Sequence, residues 1–373
     1  MESHCQKKVA IAGAGGNIGS QLIPLIGRMA SIGQVTLIDP GNYEEKNLTS
    51  QNIDRNDIGR PKVRVQQERL SQINPCLAVN VFARRVEETP WGELRADVII
   101  ACLDTRRARM AVNEAAWRLG VPWIDAGVDG RALLARAEVY RSGDDTPCLE
   151  CGWDAADYDA VEESYPCQPG DSAASMPTNA PTTVGALAAV CQAVECRKLL
   201  GGETSQALIG RQVMIDLRHH KHYVTRFRKN TCCRFDHKTW HIDRLEGGPQ
   251  AWTLSRVFRS LRESPDEDHA GEDRPALRVP GDTFVRRMTC PACLKSRTLL
   301  RLRGRLSNAE RNCNRCGGPM SIAGFDGCEW LAEPAVSATE SARSLADLGF
   351  QARDVFSVRR GTRTMHFELE EDD

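Results

Sequence analysis

Short apolar runs alternate with stretches of helical spacing along the first part of the chain. Residues 9–12 (VAIA) predict a buried strand, a glycine turn follows, and residues 21–30 (QLIPLIGRMA) predict a helix. Residues 34–38 (QVTLI) predict a second strand, and residues 62–75 (KVRVQQERLSQINP) a helix that stops at Pro75. Residues 77–86 and 96–104 alternate or run apolar as strands do. Residues 109–120 predict a helix closed by Gly120, and residues 121–128 another strand. Strands taking turns with helices predict an α/β fold: a doubly wound, Rossmann-like, mainly parallel sheet.

The pattern then changes twice. From Cys148 to Pro181 it dissolves into small, polar and proline residues, which predicts a long mobile loop over about 152–182. Residues 182–202 (TTVGALAAVCQAVECRKLLGG) predict a strong helix, and residues 211–230 a β-hairpin. Residues 261–275 (LRESPDEDHAGEDRP) read as an acidic linker, and residues 345–373 as a helix and two strands. The expected division is 1–244 for the sheet domain, 245–285 for a helix and linker, and 286–373 for a smaller C-terminal α+β domain.

With 373 residues, 41% hydrophobic and a net charge of −1, the chain suits two globular domains. Neither charge sign dominates, so nucleic acid is not an expected partner. No run approaches the ~20 apolar residues of a membrane span, and MESHCQKK at the N-terminus lacks the apolar core of a signal peptide. The expected location is the cytoplasm, where the 15 cysteines read as metal ligands or redox thiols rather than disulfides.

Gly13, Gly15, Gly16 and Gly19 form a glycine-rich strand–helix turn, spaced GxGxxxG, whose N–H groups can approach phosphates. Taken alone it also fits a tight packing turn. Asp39 closes the second strand, where an acid commonly takes ribose hydroxyls; alone, it also fits a solvated strand end. Both features also fit an NAD(P)-dependent oxidoreductase. The segment GNYEEKNLTSQNIDRNDIGRPKV separates the two readings, because it adds Asn47, Gln51 and Lys62. Cleaving ATP between its α- and β-phosphates requires neutralising developing charge and holding Mg²⁺. Lys62 offers the charge, Asn47 and Gln51 the amides, and Asp104 at a strand end a carboxylate for the metal, with Arg109 five residues on.

GAGGNIGS, LIDPGNYEEKNLTSQN, GRPKV, LSQINP, CLDTRRAR, CLEC and AVCQAVECRKLL occur in an order and spacing that resembles the ThiF / ubiquitin-activating (UBA-type) adenylyltransferase family, over about residues 7–240. That family includes the molybdopterin-synthase and thiamine-pathway activators. The resemblance implies ribose binding at Asp39, triphosphate binding at Asn47, Gln51 and Lys62, Mg²⁺ at Asp104, and a homodimer. Three positions depart from it: Ser50 stands for an arginine, so that one triphosphate contact is either missing or moved to Arg55; Gly41 stands for an acid; and Thr105 stands for an asparagine.

CLEC (Cys148, Cys151) has zinc-knuckle spacing but needs two more ligands. The family supplies them after the late hairpin, where this chain has NTCCRFDH, giving Cys233 and His237, with Cys232 the rival of Cys233. CPAC (Cys290, Cys293) and CNRC (Cys313, Cys316) have zinc-ribbon spacing, which makes a second zinc site. Cys167 lies alone in the predicted mobile loop. In the resembling family that loop carries the cysteine that accepts the activated carboxylate as a thioester; the other reading is an incidental loop thiol. Cys5, Cys76, Cys102, Cys191, Cys196 and Cys328 read as packed thiols, and His219, His220 and His222 as an exposed polar face.

The expected function is ATP-dependent adenylation of the C-terminal glycine carboxylate of a ubiquitin-like protein, then thioester transfer in a bacterial-type conjugation pathway. Activation of a sulfur carrier, or of a small or tRNA-borne carboxylate, is the alternative. The C-terminal domain is expected to dock a partner such as a conjugating enzyme. A catalytically silent zinc scaffold is the bland reading.

Overall fold

The computed structural model describes residues 6–162, 180–260, 274–322 and 324–371. The chain divides into two compact units that change over at Trp240, with Pro90–Gly92 belonging to the second.

The first unit is built on an eight-stranded sheet. In chain order the strands are β1 (Lys7–Ala12), β2 (Ile32–Ile38), β3 (Ala78–Phe82), β4 (Val98–Ala101), β5 (Trp123–Asp129), β6 (Leu134–Tyr140), β7 (Arg211–Asp216) and β8 (Lys221–Arg226). Their spatial order is β3-β2-β1-β4-β5-β6-β7-β8. The first five run parallel and the last three antiparallel. The chain leaves β1 toward β2 on one side and later returns to β4 on the other. A crevice therefore opens at the carboxyl ends of β1 and β4, the switch point where ligands bind in such sheets.

Helices α1 (Asn17–Ile26), α2 (Lys62–Ile73), α3 (Arg106–Leu119), α4 (Ala155–Glu162) and α5 (Thr182–Leu200) complete the unit. Alternation of buried positions puts Val9 and Ile11 of β1, Ile100 of β4 and Ile124 of β5 into one core with Leu22 and Ile26 of α1 and Val184 and Ala188 of α5. Thr105 starts α3 by accepting the Ala108 N–H at 3.2 Å, and Gly120 ends it in the left-handed conformation at φ 69°. α5 packs so closely on α1 that a Cβ at Gly185 would stand 1.5 Å from Asn17 Oδ1.

Three expectations are corrected here. β6 was not anticipated, because its apolar side is mostly alanine. Helix α4 lies within the stretch expected to be loop. Cys76 is exposed, in the turn between α2 and β3, because Asn74 ends α2 two residues earlier; Cys196 is buried as expected, and Cys102 and Cys191 are half-buried. The three histidines of the β7–β8 hairpin are exposed. Cys5 and Cys167 lie outside the described residues.

The second unit contains β9 (Ile242–Leu245), α6 (Leu254–Ser260), β10 (Ala276–Arg278), β11 (Phe284–Thr289), β12 (Ser296–Leu302), α7 (Asn308–Arg311), β13 (Gly327–Cys328), β14 (Leu331–Ala332), α8 (Ala338–Ser341), β15 (Val355–Arg360) and β16 (Arg363–Leu369). Five strands form a sheet in the order β14-β10-β15-β16-β9, and three form a ribbon in the order β12-β11-β13. Alternation along β11 sends Phe284 into the sheet's core and Val285 into a small separate core with Met288, Leu306, Met320, Cys290 and Cys313. The helix expected near residue 346 is only a 3₁₀ turn, Ala346–Leu348, because Gly349 at φ 97° ends it. The acidic stretch within 261–273 lies outside the described residues.

Gly185→Ala should destabilise the first unit by on the order of 1–3 kcal/mol, because the added methyl overpacks the α1–α5 contact. A denaturant midpoint equal to that of the wild type would contradict this packing.

Candidate nucleotide crevice and two cysteine clusters

The turn after β1 has little freedom. Gly13 has φ +78°, and a Cβ there would meet the Cys102 carbonyl oxygen at 2.3 Å; one at Gly19 would meet the Gly13 carbonyl oxygen at 2.2 Å. A Cβ at Gly15 would meet Lys62 Cβ at 2.4 Å, so the bare glycine lets the lysine stem lie across the turn. Gly16 caps α1 with no side-chain hydrogen bond, leaving first-turn N–H groups for a ligand.

A crevice of about 800 Å³ opens over this turn. Gly13, Gly16, Asp39, Asn47, Gln51, Lys62, Asp104 and Arg109 line it, as do the departure positions Gly41, Ser50 and Thr105. Gly15 and Gly19 act from behind, through packing. Arg55 is not among the lining residues, and its exposed guanidinium pairs with Glu45 at 3.1 Å.

Asp39 is 6% exposed. Its Oδ2 accepts the Gly15 N–H and its Oδ1 the Gly41 N–H, both at 2.9 Å. Burial pushes the carboxyl above its ordinary range, while the Lys62 ammonium and the two N–H groups oppose the shift. Lys62 is the first residue of α2; its ammonium lies 5.4 Å from the centre of the Tyr43 ring. Asn47 Oδ1 accepts the Glu44 N–H at 2.8 Å, closing a reciprocal cap on the 3₁₀ turn Glu45–Thr49. Gln51 Oε1 and Asn17 Oδ1 are buried lining atoms with no hydrogen-bond partner among the described residues.

Arg109 faces the crevice but is heavily engaged. Its guanidinium donates to Asp125 Oδ1 at 3.1 Å, to the Leu103 carbonyl at 2.7 Å and to the Ala126 carbonyl at 3.2 Å. Asp125 is fully buried, and its other oxygen pairs with Arg136 on β6 at 3.1 Å. Arg136 also pairs with Glu138, lies against Gly127 and lines the crevice. Sequence reasoning missed Asn17, Asp125 and Arg136. The signal that could have found Arg136 is the period-two alternation of LARAEVY, which places arginine and glutamate on one face of a strand.

The four side chains Cys148, Cys151, Cys233 and His237 converge, with all ligand atoms within 4.8 Å of one another. Cys148 Sγ lies 3.9 Å from Cys151 and 3.7 Å from Cys233, and Cys151 Sγ lies 3.1 Å from His237 Nε2. The Cys148 thiol, and then the Asn230 N–H at 3.3 Å, hold the Cys151 thiol well below its usual range. Cys232 is exposed and outside the group. In the second unit Cys290, Cys293, Cys313 and Cys316 converge in the same way, with sulfur separations of 3.4 Å (Cys290 to Cys316) and 3.6 Å (Cys293 to Cys313). Tetrahedral Zn²⁺ with Zn–S near 2.3 Å sets sulfurs about 3.8 Å apart, so both donor sets suit that ion.

Curated relatives resemble part of the chain. The ubiquitin-like modifier-activating enzyme 5 of Aedes aegypti is 28% identical over 225 residues, covering 57% of this chain and 55% of the relative. The enzyme of the same name from Xenopus laevis is 27% identical over 222 residues, covering 56% and 54%. The chain thus spans about half the length of the curated relatives it matches. Among solved structures, the microcin C7 biosynthetic enzyme MccB in complex with N-formylated MccA is 22% identical, with a TM-score of 0.50, covering 61% of this chain and 67% of that one. This last likeness concerns the fold alone. Residues 2–235, more than half of the chain, match the ThiF family, and the chain belongs to it.

Proposed function

We propose that this chain is an ATP-dependent adenylyltransferase that activates the C-terminal carboxylate of a ubiquitin-like protein. The observation that carries the reading is the gathering of Asp39, Lys62, Asn47, Gln51 and Asp104 around one crevice at the sheet's switch point. A carboxylate oxygen of the substrate attacks the α-phosphorus of ATP, the bond to the β-phosphate oxygen breaks, and pyrophosphate leaves with its electron pair. Asp39 receives the ribose hydroxyls. The start of α1 offers N–H groups to phosphate oxygens, the N–H groups of Gly13–Gly16 being spent on Ile38, Asp39 and the turn itself, and Lys62 neutralises charge that builds toward the leaving group. Asn47 and Gln51 orient the triphosphate. Arg109 acts as a brace that holds the segment after β4 against the middle of β5. Mg²⁺ held by the exposed carboxylate of Asp104 would supply further charge neutralisation.

The Cys148/Cys151/Cys233/His237 and Cys290/Cys293/Cys313/Cys316 sets are proposed as closed structural zinc sites, because each supplies four ligands and leaves no open position. Cys167 is proposed as the acceptor that takes the activated carboxylate as a thioester, releasing AMP. A ubiquitin-like conjugation pathway is preferred to sulfur-carrier activation because a separate zinc-bearing unit follows the adenylation unit, and a homodimer is the proposed assembly.

ATP–pyrophosphate exchange tests the reading, with a carrier protein ending in glycine as substrate. Wild type should exchange, and Asp104→Ala should lose the activity by on the order of a hundredfold or more while keeping its fold. Retained exchange in that variant would sink the assignment, and absence of exchange in the wild type would favour an oxidoreductase or a silent scaffold. Asp39→Ala should lose ATP affinity by calorimetry. Cys167→Ala should still exchange pyrophosphate but form no thiol-reducible adduct with the carrier; an intact adduct would reject Cys167 as the acceptor.

Elemental analysis of the intact chain should find two zinc ions, falling to one in Cys290→Ser. A single ion in the wild type would remove one of the two sites.

A further inference from the structure

The two cysteine knuckles of the second unit are built alike, with one exception. In each, the residue after the second cysteine donates its N–H to the carbonyl of the first: Gly317 to Cys313 at 2.8 Å, and Leu294 to Cys290 at 2.9 Å. The position needs left-handed backbone, and Gly317 takes it at φ 73°. Leu294 takes it at φ 57°, where a Cβ is strained. Leu294 is also 77% exposed, the most exposed large apolar side chain among the described residues. Glycine would relieve both the strain and the exposure, so neither backbone geometry nor packing accounts for a leucine here.

The surroundings are charged. Residues 284–322 hold nine lysines and arginines; Arg286, Arg287, Arg301 and Arg305 pair with Glu340, Asp326, Glu310 and Asp354, and the other five, Lys295 and Arg315 among them, have no carboxylate partner among the described residues. Pro291, Ala292 and Lys295 of the first knuckle and Arg315 of the second are all exposed, and the four thiols within 4.8 Å bring both knuckles to one apex. No ion-pair partner is found for Lys295 or Arg315 among the described residues. The apex is thus a small apolar tip beside unpaired cations.

We propose that this tip is a peripheral membrane contact, setting Leu294 into an anionic lipid surface while Lys295 and Arg315 meet the headgroups. A stable protein interface wants about 800 Å² per partner around an apolar centre, more than three small exposed apolar residues supply. A fluid bilayer asks for no matching shape; it takes an apolar tip and nearby cations. Nucleic acid fits less well. The only aromatic residue of the segment, Phe284, is fully buried, so no base can stack on it, and α7 has only four residues with which to enter a groove. The inference stands apart from the nucleotide crevice and does not depend on ATP chemistry.

The test is co-sedimentation of the zinc-loaded full chain with vesicles of pure phosphatidylcholine, or with about one-third phosphatidylserine. The wild type should bind the anionic vesicles, release them at high salt and ignore the neutral ones. Leu294→Gly should weaken binding roughly tenfold, the partition lost with one inserted leucine. Its zinc content should be unchanged and its thermal midpoint no lower, since Gly317 already shows that glycine fits. Lys295→Glu combined with Arg315→Glu should abolish binding. Equal binding to both vesicle types, no binding at all, or full binding by Leu294→Gly would overturn the proposal. So would tight binding of a single-stranded RNA oligonucleotide, indifferent to Leu294→Gly, by a chain that ignores vesicles.

Discussion

Asp39 is a carboxylate almost out of water, and its charge has to be supported from within the protein. The support comes from two backbone N–H groups and one ammonium, and each fixes part of the chain around it. The Gly15 N–H ties the strand end of β2 to the turn after β1. The Gly41 N–H bends the chain back toward Tyr43. Lys62 requires α2 to begin at that point and with its stem over Gly15. The arrangement leaves the carboxyl raised, so without a ligand the site favours its neutral form more than free aspartate does. By the sign of that shift, Asp39 adds less stability as pH rises through its raised range than it does below the ordinary carboxylate range. Ligand hydroxyls donating to the charged form would offset the deficit.

A second constraint runs across the sheet. Asp125, inside β5 and opposite the last residue of β4, is shared by Arg109 from α3 and Arg136 from β6. Those elements stand on either side of the change from parallel to antiparallel pairing. A fully buried acid with two guanidinium partners is strongly destabilising to break, about 3–5 kcal/mol when one partner is removed. The junction between the nucleotide half of the sheet and its antiparallel extension is therefore held by charge as well as by ladder hydrogen bonds.

The parts of this design that were legible in the sequence were those whose physics is local. Glycine turns, an acid at a strand end, paired cysteines at ribbon spacing and the helical spacing of 182–202 all write themselves into a few residues. The convergence of Cys148 and Cys151 with Cys233 and His237 needed the family resemblance, since 81 residues separate the halves. β6 was missed because alanines make its inward face weakly apolar, and α4 because its residues read as loop composition. Cys76 was misread because its neighbours are apolar, although the chain turns there. Asp125 and Arg136 could not be paired from the sequence: an acid on one strand and an arginine on the next meet only through register. The small ribbon core carries its own cysteines, and so was readable without its surroundings.

The glycines of the turn after β1 answer to two masters, the proposed nucleotide and the packing. A side chain at 13 would collide with a carbonyl of the neighbouring strand end, one at 19 with the turn itself, and one at 15 with the lysine stem, whether or not a nucleotide is ever bound. Asp104 is exposed and faces no comparable steric demand. In a lineage that stopped using ATP, drift would therefore strip Asp104, the proposed metal ligand, long before the glycines. A descendant could keep the whole fingerprint of a nucleotide enzyme as a fossil of packing, and the aspartate after β4 would be the better witness to whether the chemistry survives.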